Sequence, residues 1–320
     1  MDGFKVVITA RSFGQGDREP FRILEENGCQ AVKIDADKPF SSSGMIPLVK
    51  DADALIIGND TVDRDVIAAA EKLKVISRYG VGYDNVDLAA ASQKGIAVTN
   101  TPNTNNNSVA DLAIALALSL ARSIPAVSAA VKEGKWSRVM GMEIWGKTLG
   151  VIGLGTIGKG VVMRARGFNM KALCYDVYQD TAFADRYGVK YCSLDELLKE
   201  ADIISIHVPL MPSTRNLIGQ KELAAMKKTA LLINTARGGI INEDALYEAL
   251  SNRRIAGAAL DVTEHEPPSG SPLLNLDNII ITSHIGGYTN DAVRNMGVMA
   301  AENAVEVLKG MPCANIVNKK

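Results

Sequence analysis

The sequence predicts an α/β protein of two doubly wound parallel-sheet domains with a cleft between them. Short apolar strand patterns alternate with helical patterns along almost the whole chain, which is typical of parallel α/β architecture. The chain has 320 residues, and single hydrophobic cores stop growing at roughly 250–300 residues. The alternation is interrupted once, by a polar, Asn-rich loop that begins near Asn100. The elements therefore fall into two sets.

The first set lies in residues 1–100. Apolar stretches predict strands at residues 6–9, 29–34, 54–58 and 74–78. A helix is predicted at residues 18–27, where Gly28 closes it. Another helix, at residues 291–309, lies beyond the last predicted strand and is expected to return to this set. We therefore expect an outer, flavodoxin-like domain made of residues 1–100 and 288–320.

The second set occupies residues 101–287. Its predicted strands lie at residues 147–152, 171–175, 202–206, 230–234, 256–260 and 278–282. Six strands with helices between them match a doubly wound domain of the Rossmann type, which binds dinucleotides.

A glycine-rich turn follows the first strand of this second set. Gly153 would permit a tight turn, Gly155 would let the backbone approach a pyrophosphate, and Gly158 would let the next helix pack closely on the strand. That helix opens at Thr156 and Ile157, so its N-terminus offers free N–H groups and a partial positive charge to phosphates. The turn therefore predicts a pyrophosphate site.

The strand after this helix ends on Asp176, where a carboxylate would accept hydrogen bonds from the adenosine ribose. The order strand, turn, helix, strand and acid predicts a dinucleotide coenzyme domain much more specifically than the glycines alone. Asp176 favours NAD over NADP, because its charge would repel a 2′-phosphate and no Arg follows it immediately.

The composition argues against several other classes of protein. The formal net charge is −1 and no long basic run occurs, so we expect neither nucleic acid nor an anionic membrane as a partner. The longest apolar run, residues 112–121, is too short to span a bilayer. The four cysteines are scattered and show no metal-ligand spacing. We therefore expect a reduced, cytoplasmic protein without a metal site.

Polar residues follow several strands of the second set, at the edge where open α/β sheets bind ligands. These residues are His207, Arg237, Asp261, Glu266 and His284. The planar guanidinium of Arg237 suits a carboxylate, because it can donate two parallel hydrogen bonds. The imidazole of His284 can exchange a proton near neutral pH, and a carboxylate at Glu266 would orient the ring and favour imidazolium. His207 precedes Val208 and Pro209 and is expected to shape the cofactor rim.

Six spaced motifs resemble those of the D-isomer-specific 2-hydroxyacid dehydrogenases, over about Lys74 to Val317. They lie at residues 78–87, 146–150 with the glycine turn, 207–210, 234–239, 260–262 with 266–267, and 283–287. The resemblance implies an enzyme that transfers a hydride between NAD and a D-2-hydroxy or 2-oxo acid. It also implies a homodimer formed through the coenzyme domain.

The same resemblance implies a role for individual residues. Arg237 would bind the carboxylate and carbonyl of the 2-oxo acid, His284 would be the general acid/base, and Glu266 would hold His284. The residues implied to line the cofactor are Val208, Pro209, Thr235, Ala236, Arg237, Asp261, His284 and Gly286, with Asp261 near the nicotinamide. Closure of the two domains would exclude water from the reacting groups.

Among relatives, the phosphoglycerate dehydrogenases look closest. The resemblance places Arg78 and the backbone N–H groups of Val81 and Gly82 on the substrate side of the outer domain. Asp60 and Asp63 count against a phosphorylated substrate, because acids repel a dianionic phosphate. Glyoxylate, hydroxypyruvate and lactate-type acids therefore stay open beside 3-phosphoglycerate.

A protein of another class could share this fold, namely a binding protein that senses NAD(H) and does not turn over a substrate. The presence of Arg237, Glu266 and His284 together favours the enzyme.

Overall fold

A computed structural model describes residues 3–136 and 138–319. The chain forms two compact units, one made of Met1–Asn105 with Gly287–Lys320 and the other of Asn106–Gly286. The paired strands of both sheets run parallel. The predicted fold class, two parallel-sheet α/β domains, is therefore confirmed.

The first unit contains a five-stranded sheet with helices on both faces. Its strands are β1 Phe4–Ile8, β2 Cys29–Lys33, β3 Ala54–Ile57, β4 Val75–Arg78 and β5 Ala97–Thr99, in the sheet order β2-β1-β3-β4-β5. Its helices are α1 Glu19–Glu26, α2 Ser42–Val49, α3 Arg64–Ala69, α4 Leu88–Gln93 and the C-terminal helix Asn290–Leu308.

Apolar residues of this sheet point to both faces, as expected for buried parallel strands. Val6 and Ile8 pack in a cluster with α1 and the C-terminal helix, whereas Val7 packs with α2, α3 and α4. Four strands were predicted here and five are present. The fifth, β5, has three residues of mixed polarity, Ala97-Val98-Thr99, which carry too little apolar pattern to predict a strand, and its pairing with β4 defines it.

The second unit contains a seven-stranded sheet. Its strands are β6 Thr148–Ile152, β7 Lys171–Tyr175, β8 Val189–Tyr191, β9 Ile203–Ile206, β10 Leu231–Asn234, β11 Gly257–Leu260 and β12 Ile279–Ile281. Its helices are α5 Asn106–Ala121, α6 Ile124–Lys132, α7 Thr156–Ala165, α8 Thr181–Tyr187, α9 Leu194–Glu200, α10 Gln220–Ala225 and α11 Glu243–Ser251. Short 3₁₀ turns occur at Arg166–Phe168 and Pro272–Asn275.

The sheet order is β12-β11-β10-β9-β6-β7-β8. The chain adds β7 and β8 on one side of β6, returns to place β9 on the other side of β6, and then adds β10, β11 and β12 beyond β9. Six strands were predicted in this unit, and the edge strand β8, again only three residues long, is the seventh. Helices α5 and α7 cover one face of the sheet, and α9, α10 and α11 cover the other. The reversal between β6 and β9 creates the crevice at which such sheets bind ligands.

Within residues 3–136 and 138–319, no single helix is both long and apolar enough to cross a membrane. Helices α5 and α6 together pass a test of length and hydropathy, but a bend of 62° separates them.

Candidate active site

The glycine turn connects β6 to α7 and forms a close-fitting backbone cradle. Gly153 has a positive φ of 96°, and a Cβ atom there would lie 2.8 Å from the carbonyl carbon of His207. A Cβ atom at Gly158 would collide with the carbonyl oxygen of Gly153. A Cβ atom at Gly155, in contrast, would meet no atom within 4 Å. The first and third glycines are therefore required by packing, whereas the second keeps open space beside the N-terminus of α7, and Thr156 and Ile157 begin that helix.

Asp176 lies directly after β7 and contacts the same turn. One carboxylate oxygen accepts a hydrogen bond from the Leu154 amide at 2.6 Å, and the other accepts one from the Tyr178 amide at 2.9 Å. Val177 and Tyr178 are largely exposed. The Asp176 carboxylate is therefore fixed beside the glycine turn, at the position expected for a group that accepts hydrogen bonds from a ribose.

His207 follows β9 next to the glycine turn, and Val208 and Pro209 come after it. Its Nε2 atom lies 2.8 Å from the Ser205 hydroxyl, and burial lowers the pKa of His207 to about 3. The ring is therefore neutral near pH 7 and cannot act as a proton donor there.

Two buried polar atoms at this edge have no hydrogen-bond partner within the described residues, namely His207 Nδ1 and Thr235 Oγ1. Since Ile206 of β9 pairs with Asn234 of β10, His207 and Thr235 occupy the next positions on neighbouring strands. Buried polar groups are normally hydrogen-bonded. The orphaned atoms, the open space at Gly155 and the acid at Asp176 together fit a dinucleotide at this edge.

Arg237 lies in a tight turn directly after β10. The buried side chain of Asn234 organises the turn, because its Oδ1 accepts from the Ala236 amide at 3.0 Å and its Nδ2 donates to the Arg237 carbonyl at 2.8 Å. A Cβ atom at Gly238 would collide with the carbonyl oxygen of Thr263. The Arg237 turn therefore packs directly against the loop that leads to Glu266.

His284 and Glu266 are in hydrogen-bond contact. His284 Nδ1 lies 2.8 Å from Glu266 Oε2 and 3.0 Å from Oε1. The two side chains are 30% and 36% exposed, so the pair is neither sealed from water nor freely solvated. With Nδ1 bound to a carboxylate, the Nε2 atom is the one that can exchange a proton with a ligand.

The backbone at His284 is unusual for a non-glycine residue, since its φ is 57°. Asp261, which follows β11 and is only 2% exposed, accepts hydrogen bonds from the Ile285 and Gly286 amides at 2.8 Å each. The strands β10, β11 and β12 are neighbours, so Arg237, Asp261 and His284 all follow strands at one edge of one sheet.

The residues expected to bind substrate from the outer domain lie in the first unit. Arg78 ends β4, is 7% exposed, and donates from Nη2 to Asn59 Oδ1 at 2.8 Å and from Nη1 to the Tyr79 carbonyl. The next turn, with Gly80 at a φ of 140°, leads to Val81 and Gly82, and the Val81 carbonyl accepts from Asn100 Nδ2 at 2.8 Å.

The acids after β3 have structural partners in the same unit. Asp60 is 2% exposed and accepts hydrogen bonds from the Thr9 hydroxyl and from the Phe40 and Gly58 amides. Asp63 caps α3. Each carboxylate is thus held in place by its own chain.

Sequence reasoning did not single out three residues that hold these groups in place. They are Ser205 beside His207, Asn234 in the Arg237 turn, and Thr282, whose hydroxyl donates to Asp261 Oδ1 at 2.6 Å. Only Asn234 had a usable signal, because a buried amide at a strand end commonly organises the following turn. Within the described residues, no group of three His, Cys, Asp or Glu side chains is placed to hold a metal ion.

Comparisons with known proteins agree with this arrangement. A family model described as "D-isomer specific 2-hydroxyacid dehydrogenase, NAD binding domain" matches residues 114–286. The D-3-phosphoglycerate dehydrogenase of Methanocaldococcus jannaschii is 47% identical over 304 residues, which cover 94% of this chain and 57% of that protein. The glyoxylate reductase of Korarchaeum cryptofilum is 41% identical over 292 residues, covering 89% of this chain and 88% of that protein.

Among solved structures, that of a glyoxylate reductase from Paecilomyes thermophila matches with a TM-score of 0.87 and 31% identity, with 100% of both chains covered. The present chain spans little more than half the length of the phosphoglycerate dehydrogenase above. The matches to the family model and to relatives of similar length decide the family. The chain belongs to the D-isomer-specific 2-hydroxyacid dehydrogenases, and its second unit is their NAD(P)-binding domain.

Proposed function

We propose that this chain is an NAD-dependent dehydrogenase that interconverts a 2-oxo acid and its D-2-hydroxy acid. The observation that carries the proposal is the His284–Glu266 pair at the ligand-binding edge of a dinucleotide-binding sheet. A carbonyl oxygen needs a proton when a hydride reaches its carbon, and an imidazolium beside a carboxylate can donate that proton. A bound nicotinamide supplies the hydride in reduction and accepts it in oxidation.

The residues proposed to hold the dinucleotide are those of the glycine cradle and the neighbouring strand ends. The backbone N–H groups at Gly155, Thr156 and Ile157 would bind the pyrophosphate, since they open α7 beside unfilled space. Asp176 would accept from the adenosine ribose and favour NAD over NADP. The other proposed contacts are Gly153, Gly158, His207, Val208, Pro209, Thr235, Ala236, Arg237, Asp261, His284 and Gly286.

Three side chains are proposed to act on the substrate. Arg237 would bind the carboxylate and orient the carbonyl, because its guanidinium is permanently charged and bidentate. His284 would exchange the proton with the substrate oxygen through Nε2. Glu266 would orient the ring through the contact at Nδ1.

We propose that the first unit supplies the remaining substrate contacts. Arg78, Val81 and Gly82 are the candidates, and residues 1–100 with 288–320 are the proposed substrate domain, against 101–287 for the coenzyme. The buried Arg78 gives this unit a fixed positive charge next to the Gly80–Gly82 turn. That charge suits an anionic 2-oxo acid.

Two substrate classes stay open, 3-phosphoglycerate and a small acid of the glyoxylate, hydroxypyruvate or lactate type. The relatives named D-3-phosphoglycerate dehydrogenase support the first, and those named glyoxylate reductase support the second. A specific observation favours the small acids. The segment after β3 begins Gly58-Asn59-Asp60, which offers no cation, and Asn59 already accepts a hydrogen bond from Arg78. This segment therefore supplies no basic partner for a phosphate dianion, which needs positive charge beside it.

We further propose a cytoplasmic homodimer formed through the coenzyme domain. Helix α6 has no buried residue, and apolar side chains are exposed on it and on the following segment, including Ile124, Val131, Met140 and Trp145. Exposed apolar surface of this kind marks protein contacts, and a second copy would cover it. The four cysteines are free thiols, as is usual in a reducing compartment.

The test is steady-state reduction of glyoxylate, hydroxypyruvate and pyruvate with NADH, and oxidation of D-glycerate and 3-phosphoglycerate with NAD. We expect turnover with at least one small acid, and loss of about 10³-fold or more in kcat for His284→Ala with NADH binding retained. An NAD(H)-sensing binding protein would instead bind NADH tightly and turn over no acid in the panel.

A further inference from the structure

The loop that follows β4 is held on one side by the two residues that follow β5. Strands β4 and β5 are parallel neighbours, so the segments after them leave the sheet side by side. The Gly80 carbonyl accepts a hydrogen bond from the Thr101 amide at 3.0 Å, and the Gly80 amide donates to Thr101 Oγ1 at 2.9 Å. The Val81 carbonyl accepts from Asn100 Nδ2 at 2.8 Å. Two successive carbonyl groups of the loop therefore point toward the end of β5.

The direction of these carbonyl groups fixes the direction of the next two amides. A trans peptide unit is planar, and its C=O and N–H bonds point in opposite directions. The Val81 amide shares a peptide unit with the Gly80 carbonyl, and the Gly82 amide shares one with the Val81 carbonyl. Both amides are therefore turned away from β5, and neither donates a hydrogen bond within residues 3–136 and 138–319. Successive N–H groups that point the same way form a concave site for an anion.

The backbone of Asn100 is fixed by the C-terminal part of the chain. Its carbonyl accepts from Asn303 Nδ2 at 2.9 Å, and its amide donates to the Asn315 carbonyl at 3.3 Å. Asn303 belongs to the C-terminal helix, is 1% exposed, and accepts at Oδ1 from Asn315 Nδ2 at 2.9 Å. The buried side chain of Asn100 therefore starts from a fixed backbone, so its Nδ2 group holds the Val81 carbonyl in one place.

The guanidinium of Arg78 lies against the same loop. Gly80 has a φ of 140°, and a Cβ atom there would collide with Arg78 Nη1. Arginine stays protonated in proteins, so the loop carries a fixed positive charge beside the two amides. A carboxylate suits this combination, because N–H groups and a guanidinium both donate to its oxygens.

We propose that Asn100 is a positioning residue for the substrate carboxylate, since it turns the N–H group of the Val81–Gly82 peptide unit toward that carboxylate. The inference rests on the substrate role proposed above for the amides of Val81 and Gly82. Asn100 acts through the Val81 carbonyl, which can only accept and therefore needs an amide donor beside it. Without this donor, the peptide unit is free to rotate and to point a carbonyl oxygen at the carboxylate.

The primary variant is Asn100→Ala, which removes Nδ2 and leaves the backbone hydrogen bonds of residue 100 in place. Asn318→Ala is the matched control. Asn318 also donates from Nδ2 to a backbone carbonyl, that of Ile96 at 2.9 Å, but at the opposite end of β5. The first readouts are KM and kcat for the 2-oxo acid that the wild type reduces best. The others are the Kd for NADH, the midpoint of thermal unfolding, and the Kd for oxamate with NADH bound.

Oxamate is the probe because it has the carboxylate of a 2-oxo acid and cannot be reduced in its place. Its binding is followed through the amide resonances of Val81 and Gly82. For Asn100→Ala we expect the Kd for oxamate and KM to rise by about tenfold or more, because hydrogen bonds to a charged group are weakened. We expect kcat to stay within about threefold, since the carboxylate is bound alike before and during hydride transfer. The Kd for NADH should stay within about twofold.

Asn318→Ala should keep the wild-type KM and Kd for oxamate. A lower unfolding midpoint in both variants, with KM and the Kd for oxamate unchanged in both, would make Asn100 a purely structural residue and would overturn the proposal. A tenfold fall in kcat for Asn100→Ala with unchanged KM would overturn it as well.

Asn100→Ser tests the same contact if Asn100→Ala fails to fold. Its hydroxyl keeps a polar group at the buried position but ends one bond short of the Nδ2 atom. The Kd for oxamate should again rise, and an unchanged value would count against the proposal. Oxamate binding needs no turnover. A wild-type protein that reduces no 2-oxo acid would therefore refute the proposed function, while the Kd values of the variants would still decide the role of Asn100.

Discussion

Replacing Glu266 by Gln removes the negative charge beside the proposed proton donor and changes little else. The Nδ1 atom of His284 lies 2.8 Å and 3.0 Å from the two carboxylate oxygens, so an amide oxygen can keep one contact but cannot supply the charge. A hydrogen bond to a charged group contributes about 1.5–3 kcal/mol. The side chains are 30% and 36% exposed, which places the loss near the lower end because water screens the pair. A loss of about 1.4 kcal/mol is a tenfold fall in rate.

The assay is kcat for reduction of a 2-oxo acid by NADH at pH 7. Reduction needs a proton donor held beside the carbonyl oxygen, and the hydrogen bond to the Glu266 carboxylate holds the imidazole in place. The variant should therefore lose about tenfold in kcat. Glu264→Gln is the matched control, since Glu264 is in the same loop and its carboxylate pairs with Arg215 at 3.7 Å. Glu264→Gln should keep the wild-type kcat, and if Glu266→Gln keeps it too, the reasoning about Glu266 is refuted.

Further predictions concern the cradle and the buried histidine. Gly155→Ala should weaken NADH binding, and the midpoint of thermal unfolding should stay near that of the wild type because the added Cβ atom enters open space. Gly158→Ala should instead lower the midpoint of thermal unfolding, because the added Cβ atom meets backbone. Equal midpoints for the two variants would contradict this packing argument. Asp176→Ala should raise the Kd for NADH more than that for NADPH, as measured by fluorescence, and an unchanged ratio would remove Asp176 from cofactor selection. The folded-state pKa of His207, lowered by burial to about 3, lies below its ordinary value of about 6.5. Its contribution to stability is therefore present above pH 6.5 and is lost as the pH falls toward 3, by at most about 1.4 kcal/mol per pH unit. Urea unfolding at pH 7 and pH 5.5 should show a smaller difference for His207→Asn than for the wild type, and an equal difference would show that the ring is not buried as a neutral group.

The parts of the fold that sequence could predict are those with a local signal. These are the glycine turn, the fully buried apolar strands such as β3 and β9, and the terminal acid Asp176, each of which depends on interactions within a short segment. The strands β5 and β8 could not be predicted in the same way. Each has three residues of mixed polarity, Ala97-Val98-Thr99 and Val189-Lys190-Tyr191, whereas the equally short β12 consists of three isoleucines and was predicted. Strands β5 and β8 are therefore defined by their pairing with a neighbouring strand.

The candidate site shows the same division. The residue types at positions 237, 266 and 284 are sufficient to predict carboxylate binding and proton exchange, because those properties belong to the side chains. The contact between Glu266 and His284 could be expected from the sequence but not established by it, because the two residues are 18 positions apart in the chain. The hydrogen bonds from the Ile285 and Gly286 amides to Asp261 had no local signal, because they depend on a left-handed turn that begins 23 positions later in the chain.

The sequence by itself determined the α/β class, the dinucleotide turn and the chemical types of the candidate catalytic residues. These follow from periodicity, from the backbone freedom of glycine, and from the charge and donor geometry of single side chains. The tertiary structure alone decided which of these groups are in contact. Glu266 contacts the ring of His284, Asp261 accepts from the backbone at His284, and the Ser205 hydroxyl contacts the ring of His207. Hydrogen bonds act only over about 3 Å, so contacts between residues far apart in the chain exist only once the parallel strands have brought their ends to one edge.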